Sequence, residues 1–457
     1  MVLKNSNPTQ PNIVLTIFEE QVVRNYLLNG NGKFVIDLSF FCRVVILTNE
    51  RLLPLIQKAH RDFFPKAQFD IHVINKPRSS QSYRFWQLIA RCLNSSSSNL
   101  WSINRNYALG HYSFMGLMLR RFLNFLLSGR TVPIKFCRQM LKKVSGIESS
   151  TSELLQGLNP KYVVLTSATN FDWDARIGCF CNLSGIKLIA IPRSWDNLTS
   201  HGILRYEPDY LLVLSNMMKR HAIENQLIPE HKILVVQNPA YQYFDKKVML
   251  SNALDTIDRV QVLYACSGIT IYPKEIEFLT ELHQCSFVQK ERVEIHVLEH
   301  PKFSYDEDIK DSLSNFSWSC FNYIDFDLGA SGLFEYLESK HVILTASSSV
   351  ALDCLFVGKK SICIYFDDQS KKWRDYWLSA SRFKDSVQHF RELIEGAKLK
   401  TIFNLQELSV LLEETNSDGL RKDDNYRVEF PRIQQDFGLI GNRISEAINS
   451  LTREKSK

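Results

Sequence analysis

The sequence lacks any long uninterrupted apolar stretch. No segment approaches the roughly 20 apolar residues that a helix needs to cross a bilayer. Met1 to Gln10 are polar and lack the basic-then-apolar layout of a signal peptide. With 45% hydrophobic and 23% charged residues, the 457-residue chain has the composition of a globular protein. These features predict a cytoplasmic protein with two large domains.

Cysteines at zinc-binding spacing are also missing. The ten cysteines are scattered, and several lie in apolar runs such as 361–365, which is typical of reduced, buried cysteine. Only Cys179 and Cys181 are close neighbours, and a C-x-C pair inside a predicted helix has poor zinc geometry. We therefore expect no metal site.

Acidic residues are absent from Lys76 to Lys143. Residues 1–150 contain 20 Lys and Arg against 7 Asp and Glu, a net +13, and the remainder contains 35 against 42, a net −7. The basic stretch fits an anionic membrane surface, a phosphate-bearing acceptor or nucleic acid. Within it, 112–127 is predicted to be an amphipathic basic helix. That helix either packs on a domain in the ordinary way or rests on lipids at the inner face of the membrane.

Strand and helix patterns alternate along most of the chain. This alternation predicts the α/β class, with two Rossmann-like domains whose parallel sheets face each other across a cleft. The predicted parts are an N-terminal domain at 1–245 with a basic helical insertion around 76–150, a C-terminal domain at 258–437, and a C-terminal helix and tail at 438–457. The last helix is predicted from Leu439 to Leu451.

A hydroxyl-rich turn follows the predicted strand 342–345. Open parallel sheets bind ligands beyond the carboxyl ends of their strands, and N–H groups at a helix start attract anions. Ser347, Ser348 and Ser349 add hydroxyl donors for phosphate, and Asp353 lies one turn further along the same face, where it can accept ribose hydroxyls. Simple capping of the helix by serine explains the same pattern, so both interpretations stay open.

Two further strand ends belong to the predicted donor site. His300 and Pro301 end the strand 293–298, and a histidine there can donate to a diphosphate or transfer a proton, although a structural role is the alternative. Ser267 and Gly268 follow the strand 260–265.

The loop 191–202 carries a mixture of side chains that is typical of sugar-binding sites. Aromatic rings stack on sugars while polar groups bind hydroxyls, although Asx and Ser residues also simply form turns. The candidate residues for the acceptor or the cleft are Arg193, Trp195, Asp196, Asn197, Thr199, Ser200 and His201.

Asp172 and Asp174 follow the strand 161–166. Either carboxylate is a candidate general base for an acceptor hydroxyl. The D-x-D spelling, repeated at Asp325 and Asp327, is the alternative signal of metal–diphosphate binding.

The stretches 166–244 and 260–366 resemble bacterial glycosyltransferases of the GT-B fold, of the surface-polysaccharide type. Related enzymes include the polyol-phosphate transferases of teichoic acid synthesis. The resemblance rests on the segments 171–174, 194–200, 238–239, 300–301 and 347–353. The sequence departs from the family pattern at two places. Asp353 stands where these enzymes usually have Glu, and the glycine-rich phosphate loop is reduced to 266–268. The resemblance implies no bound metal, because helix dipoles and side-chain donors in this fold stabilise the leaving diphosphate.

The sequence thus predicts transfer of a sugar from a nucleotide sugar to a surface polysaccharide or lipid-linked glycan, without a cofactor. His300, the serines and Asp353 would bind the donor, and Asp172, Asp174 or His300 would be catalytic. Alternatives are a CDP-polyol phosphotransferase, a sugar-nucleotide epimerase, and a basic scaffold or nucleic-acid binder. The last is disfavoured because no compact nucleic-acid motif is present, so we expect no nucleic-acid partner.

Overall fold

The protein is described here from a computed structural model. The described residues are 10–28, 32–65, 67, 69–75, 77, 79–169, 172–242, 260–267, 274–285, 288, 293–300, 304–320, 329–346, 348–366, 377–418, 432–439 and 441–453. The chain divides into two compact units. Unit 1 comprises Met1–Ile103, Ser113–Phe244 and Gln435–Lys457, and unit 2 comprises Asn104–Tyr112 and Asp245–Gln434.

Unit 1 is built on sheet A, in which seven strands are described, all parallel. The strands are β1 (Asn12–Ile17), β2 (Arg43–Thr48), β3 (Phe69–Val73), β4 (Tyr162–Leu165), β5 (Leu188–Ala190), β6 (Tyr210–Val213) and β7 (Ile233–Val235). Their order, β3-β2-β1-β4-β5-β6-β7, reverses direction between β1 and β4. Central strands such as β4 are buried along their whole length, which explains why their apolar runs are continuous.

Helices connect these strands and cover the sheet. The α-helices are α1 (Glu20–Val23), α2 (Lys33–Ser39), α3 (Leu53–Phe63), α4 (Gln81–Cys92), α5 (Ser97–Ala108), α6 (Phe114–Leu127), α7 (Thr131–Val144), α8 (Ser149–Leu158), α9 (Asp172–Ser184), α10 (Asn197–Ser200) and α11 (Asn216–Glu224). The last residues of α5, from Asn104 onward, belong to unit 2. The helices α4–α8 lie between β3 and β4, where the sequence predicts the basic helical insertion. Ser215 caps α11 as predicted, since its hydroxyl accepts the Met218 N–H at 3.1 Å.

Unit 2 is built on sheet B, in which six parallel strands are described. They are β8 (Val260–Ala265), β9 (Val293–Glu299), β10 (Ser317–Cys320), β11 (Val342–Thr345), β12 (Ile362–Ile364) and β13 (Thr401–Ile402), in the order β10-β9-β8-β11-β12-β13. The helices are α12 (Glu275–Gln284), α13 (Glu307–Ser312), α14 (Gly329–Glu338), α15 (Val350–Phe356), α16 (Ala380–Ser386), α17 (Gln388–Gly396) and α18 (Leu405–Asp418). The prediction of two Rossmann-like units with parallel sheets is confirmed.

The C-terminal segment belongs to unit 1 and ends in α19 (Ile444–Arg453). The predicted helix start at Leu439 is wrong, because the backbone before α19 bonds to the chain after β7 instead of to itself. The Leu439 carbonyl accepts the Gln237 side-chain amide at 2.7 Å. Gly438 has a φ of +71°, and a Cβ there would lie 1.4 Å from the Leu214 carbonyl oxygen, so only glycine fits.

Candidate functional site

The candidate acceptor residues lie on the segments that follow β4 and β5. Thr169 comes after β4, and Asp172 and Asp174 form the first turn of α9. The residues from Arg193 to His201 follow β5. Because β4 and β5 are adjacent parallel strands, both segments leave sheet A at its carboxyl edge.

Asp172 is the centre of a buried network of charged and hydroxyl groups. Its Oδ1 accepts hydrogen bonds from Arg205 Nη1 at 2.6 Å and from Tyr83 Oη at 2.8 Å. Its Oδ2 accepts a hydrogen bond from Arg176 Nε at 3.2 Å. The Arg176 guanidinium also lies over the Tyr83 ring, 3.9 Å from its centroid. The carboxylate thus fixes two cations and a tyrosine at the edge of the sheet.

The electrostatics of Asp172 favour positioning over proton transfer. Burial raises the pKa of its carboxyl, but Arg205, the hydrogen bond from Tyr83 and Arg176 together bring that pKa below its ordinary 3.8. A general base works best with a pKa near the operating pH. A carboxylate held by these cations is a weak base.

Asp174 is completely buried. Its Oδ2 accepts the Ser167 N–H at 2.7 Å, at the end of β4. Burial raises the pKa of this carboxyl to about 6, although hydrogen bonds from Thr16 and Ser167 act in the opposite direction. With no exposed surface, the Asp174 side chain holds the β4–α9 connection in this conformation and does not present an atom to an acceptor.

Replacing Asp174 with asparagine should raise stability at neutral pH. The folded-state pKa of about 6 lies above the ordinary 3.8, so the ionised form costs free energy in full above pH 6, and this cost declines as the pH falls from about 6 towards 3.8. Removing the charge should recover up to about 3 kcal/mol, and the amide oxygen can still accept the Ser167 N–H. Urea unfolding checks this: the advantage of the variant should shrink at mildly acidic pH. A variant less stable than wild type at neutral pH would contradict the sign.

Part of the predicted cleft loop maintains its own fold. Asn197 Oδ1 accepts the Ser194 N–H at 3.0 Å, and Thr199 Oγ1 donates to the Asp196 carbonyl at 3.0 Å. Asn197 and Thr199 are fully buried, and Ser200 is half-buried at the end of α10. The contacts of these residues match the turn-forming interpretation of the sequence.

Arg193 and Trp195 anchor the loop to the rest of unit 1. Arg193 Nη1 forms an ion pair with Glu19, which follows β1, and both side chains are largely buried. Trp195 is buried as well. The loop after β5 is therefore tied to the strand end of β1, close to the reversal of strand order in sheet A.

His201 and Asp196 form a pair at the end of this loop. His201 Nε2 lies 3.4 Å from Asp196 Oδ2, and the two side chains are 40% and 28% exposed. His201 also lines a pocket of about 290 Å³ in unit 1. The lining residues are Gln87, Ala90, Arg91, Thr169, His201, Ile203 and Arg205. An imidazole backed by a carboxylate is thus accessible at the carboxyl edge of sheet A.

Gly202 allows this loop to approach α4 closely. Its φ is +84°, and a Cβ there would lie 2.7 Å from Arg91 Cα and 2.8 Å from the Ala90 carbonyl oxygen. The next residue, Ile203, donates its N–H to that carbonyl at 3.0 Å. The contact places His201 against the helix that carries Gln87 and Arg91, and so forms the pocket.

The predicted donor residues that are described lie at strand ends of sheet B. Ser267 follows β8 and Ser348 follows β11, and the strand order of sheet B reverses between these two strands. His300 follows β9 and is half-buried. Ligands of open α/β sheets bind at such reversals. Gly268, Pro301 and Ser347, together with Asp325 and Asp327 of the second D-x-D, lie outside the described residues.

The serines of the turn after β11 differ in their contacts. Ser348 is buried; its N–H donates to Thr345 Oγ1 at 3.1 Å and its hydroxyl accepts the Val350 N–H at 3.3 Å. Ser349 is exposed and its side chain makes no capping hydrogen bond. Asp353 is half-buried in α15. Ser348 therefore acts as a cap, while the Ser349 hydroxyl points to no helix N–H.

The turn after β8 depends on a buried glutamate that was not predicted from the sequence. Glu275, fully buried in α12, accepts hydrogen bonds at Oε1 from the Ser267 N–H at 2.7 Å and from Tyr264 Oη at 2.8 Å. Its Oε2 accepts one from Tyr305 Oη at 2.5 Å. A buried carboxylate thus stabilises the turn after β8.

In unit 1, Tyr83, Arg176 and Arg205 were also missed. Only Arg176 carried a detectable signal, since it stands four residues after Asp172 on one helix face.

The described residues include no group of His, Cys, Asp and Glu arranged to hold a metal ion. In the same part of the chain, no helix has the length and apolar character needed to cross a membrane.

Comparison with known proteins defines the fold. No protein-family model matches the chain, and no curated protein sequence matches it. Among solved structures, the chain is similar to S. aureus MnaA in complex with UDP, with 10% identity, 98% of each chain covered and a TM-score of 0.50. It is similar to a Listeria monocytogenes protein assigned as a UDP-N-acetylglucosamine 2-epimerase, with 11% identity, 98% of each chain covered and a TM-score of 0.50. It also aligns with the calicheamicin glycosyltransferase CalG4 at 11% identity over 97% of each chain, with a TM-score of 0.47. The S. aureus and Listeria structures show that the chain has a known two-domain α/β architecture over nearly its whole length.

Proposed function

We propose that this protein is a glycosyltransferase that moves a sugar from a nucleotide-activated donor to a hydroxyl of a surface polysaccharide or lipid-linked glycan. The observation that carries the proposal is the pocket at the carboxyl edge of sheet A, where the accessible His201 imidazole is backed by Asp196. In this proposal unit 1 binds the acceptor and unit 2 binds the donor.

The chemistry of transfer assigns a role to each group of the pocket. With its proton on Nε2, facing Asp196, the imidazole has its lone pair on Nδ1 and can accept the proton of an acceptor hydroxyl. The hydroxyl oxygen then bonds to the anomeric carbon of the sugar, and the bond from that carbon to the nucleoside diphosphate breaks. Asp196 stabilises the imidazolium that results. The exposed Arg91 offers a cation for an anionic group of the acceptor.

The donor site is proposed on unit 2 at the reversal of strand order in sheet B. Ser267 and Ser348 lie on the two strand ends that flank this point, and the exposed Ser349 hydroxyl can donate to a phosphate oxygen. Asp353 would accept ribose hydroxyls, and His300 would donate to the diphosphate. No cofactor or bound metal is required in this scheme.

A panel of UDP-, GDP-, dTDP- and CDP-linked donors tests the proposal. A donor present at 100 times its Kd should stabilise the folded protein by about 2.7 kcal/mol, which raises Tm by several degrees. With the matching glycan acceptor, the same donor should release its nucleoside diphosphate and extend the glycan. If no donor shifts Tm and none is consumed, the proposal is wrong. A preference for CDP over UDP would instead favour transfer of a polyol phosphate.

A nucleotide-sugar epimerase is the second candidate, because the Listeria protein assigned to that activity has the same architecture over 98% of both chains. An epimerase inverts the configuration of one carbon of the sugar and needs no acceptor. Incubation of the protein with each donor alone, followed by chromatographic separation of the sugar isomers, distinguishes the two activities: a new isomer indicates epimerisation, and an unchanged donor agrees with transfer.

A further inference from the structure

An apolar face of unit 1 is exposed on the basic helices between β3 and β4. On α6, Met115, Phe122 and Phe125 are 79%, 58% and 81% exposed, and further exposed apolar side chains lie one or two turns from them. The exposed apolar residues of α6 are Phe114, Met115, Met118, Leu119, Phe122 and Phe125. Their spacing places them along one side of the helix, while Leu117 on the other side is completely buried.

The exposed face continues onto the neighbouring helices. Phe85 of α4 and Phe136 of α7 are each more than half exposed, and both contact Trp86 edge to face, at ring-centroid distances of 5.3 and 5.6 Å. Asn124 of α6 donates to the Cys92 carbonyl at the end of α4, at 2.8 Å. The three helices therefore present one surface, which we call the basic-aromatic face and define as the exposed residues of α4, α6 and α7.

Positive charge accompanies this apolar surface. Exposed cations stand directly before exposed phenylalanines at Arg84-Phe85, Arg121-Phe122 and Lys135-Phe136, and Arg130 precedes α7. The sequence from 77 to 147 contains no Asp or Glu. Adjacent helical residues are about 100° apart, so each cation lies beside the apolar strip and not within it. Aromatic and apolar side chains flanked by Arg and Lys are the composition of helices that lie at a membrane interface.

We propose that the basic-aromatic face docks on an anionic lipid bilayer. Charge complementarity selects this partner, because a lipid surface with negative headgroups satisfies the cations while its acyl boundary takes up the phenylalanines. A second copy of the same face would bring like charges together. The proposal goes beyond sugar transfer and holds or fails independently of it.

Vesicle co-sedimentation of the full chain tests this. The wild type should bind vesicles of phosphatidylcholine and phosphatidylglycerol, bind phosphatidylcholine alone about tenfold more weakly or worse, and lose affinity as salt is added. The combined variant Met115→Glu, Phe122→Glu and Phe125→Glu should lose binding to the anionic vesicles by at least about tenfold.

The combination Phe40→Glu and Leu183→Glu is the matched control, since those side chains are 76% and 61% exposed elsewhere on unit 1. It should bind anionic vesicles like the wild type. Circular dichroism shows whether each variant is folded. The proposal is overturned if the folded wild type ignores anionic vesicles, if it binds neutral vesicles equally well, or if both combinations weaken binding alike. It is also overturned if the wild type is a dimer in solution that the α6 variant dissociates.

Discussion

Replacing His201 with glutamine should lower kcat for sugar transfer by about 10²- to 10⁴-fold, the range that a positioned general base contributes. Glutamine keeps a hydrogen-bonding side chain of similar length but cannot take up the proton of the acceptor hydroxyl. Because binding of the donor is proposed on unit 2, the variant should keep the wild-type Tm shift with nucleotide sugar. Steady-state kinetics with saturating donor and acceptor, together with the Tm shift, provide the measurement.

Two further variants make this test specific. His231→Gln changes another exposed histidine of unit 1. This histidine precedes β7 and so lies at the amino ends of the strands of sheet A, and its replacement should leave kcat unchanged. Asp196→Asn should reduce kcat less than His201→Gln, since Asp196 acts through the imidazole. If His201→Gln retains wild-type kcat, the imidazole is not the base and the proposed division of roles in the pocket is wrong.

Replacing Asp172 with asparagine should destabilise unit 1 by about 3 kcal/mol, because removal of one partner from a buried ion pair leaves the other charge uncompensated. Arg176 and Arg205 are 2% and 7% exposed and would both lose their carboxylate. The value is taken at the lower end of the range for buried pairs, since the Asp172 side chain is 29% exposed. Urea unfolding of the variant and the wild type at neutral pH measures the difference.

The pH dependence of this difference has a definite sign. The folded-state pKa of Asp172 is lowered, so its contribution is fully present above the ordinary value of 3.8 and is lost as the pH falls through the folded-state pKa. The difference in the free energy of unfolding between wild type and variant should therefore be constant near neutral pH and should disappear only in acid. Glu230→Gln, which breaks an exposed pair with Lys219, is the control and should leave the urea midpoint unchanged. Equal effects of both substitutions would show that the Asp172 network does not stabilise the fold.

Local sequence pattern determines some elements of this fold, and tertiary contacts determine others. The buried strands β1, β2, β4 and β11 were predictable because each is a continuous apolar run. The edge strands β10 and β13 were not, because one is rich in serine and the other has only two residues. The strand order in each sheet depends on pairing between distant segments.

The same distinction holds for the candidate site. The residues after β4 and β5 lie at the same edge of sheet A because the strands are parallel, and this was predictable from the sequence. The hydrogen bonds of the Asp172 carboxylate were not predictable, because its partners Tyr83 and Arg205 stand 89 residues before and 33 residues after it. Asp172 and Asp174, equivalent as D-x-D in the sequence, have pKa shifts of opposite sign for this reason.

A crystal structure of the protein with the nucleotide sugar that stabilises it most would test the central claim directly, since that claim assigns the donor to unit 2. The account predicts the diphosphate at the carboxyl edge of sheet B, beside Ser348 and Ser349. A nucleotide bound instead in the His201 pocket of unit 1 would contradict it.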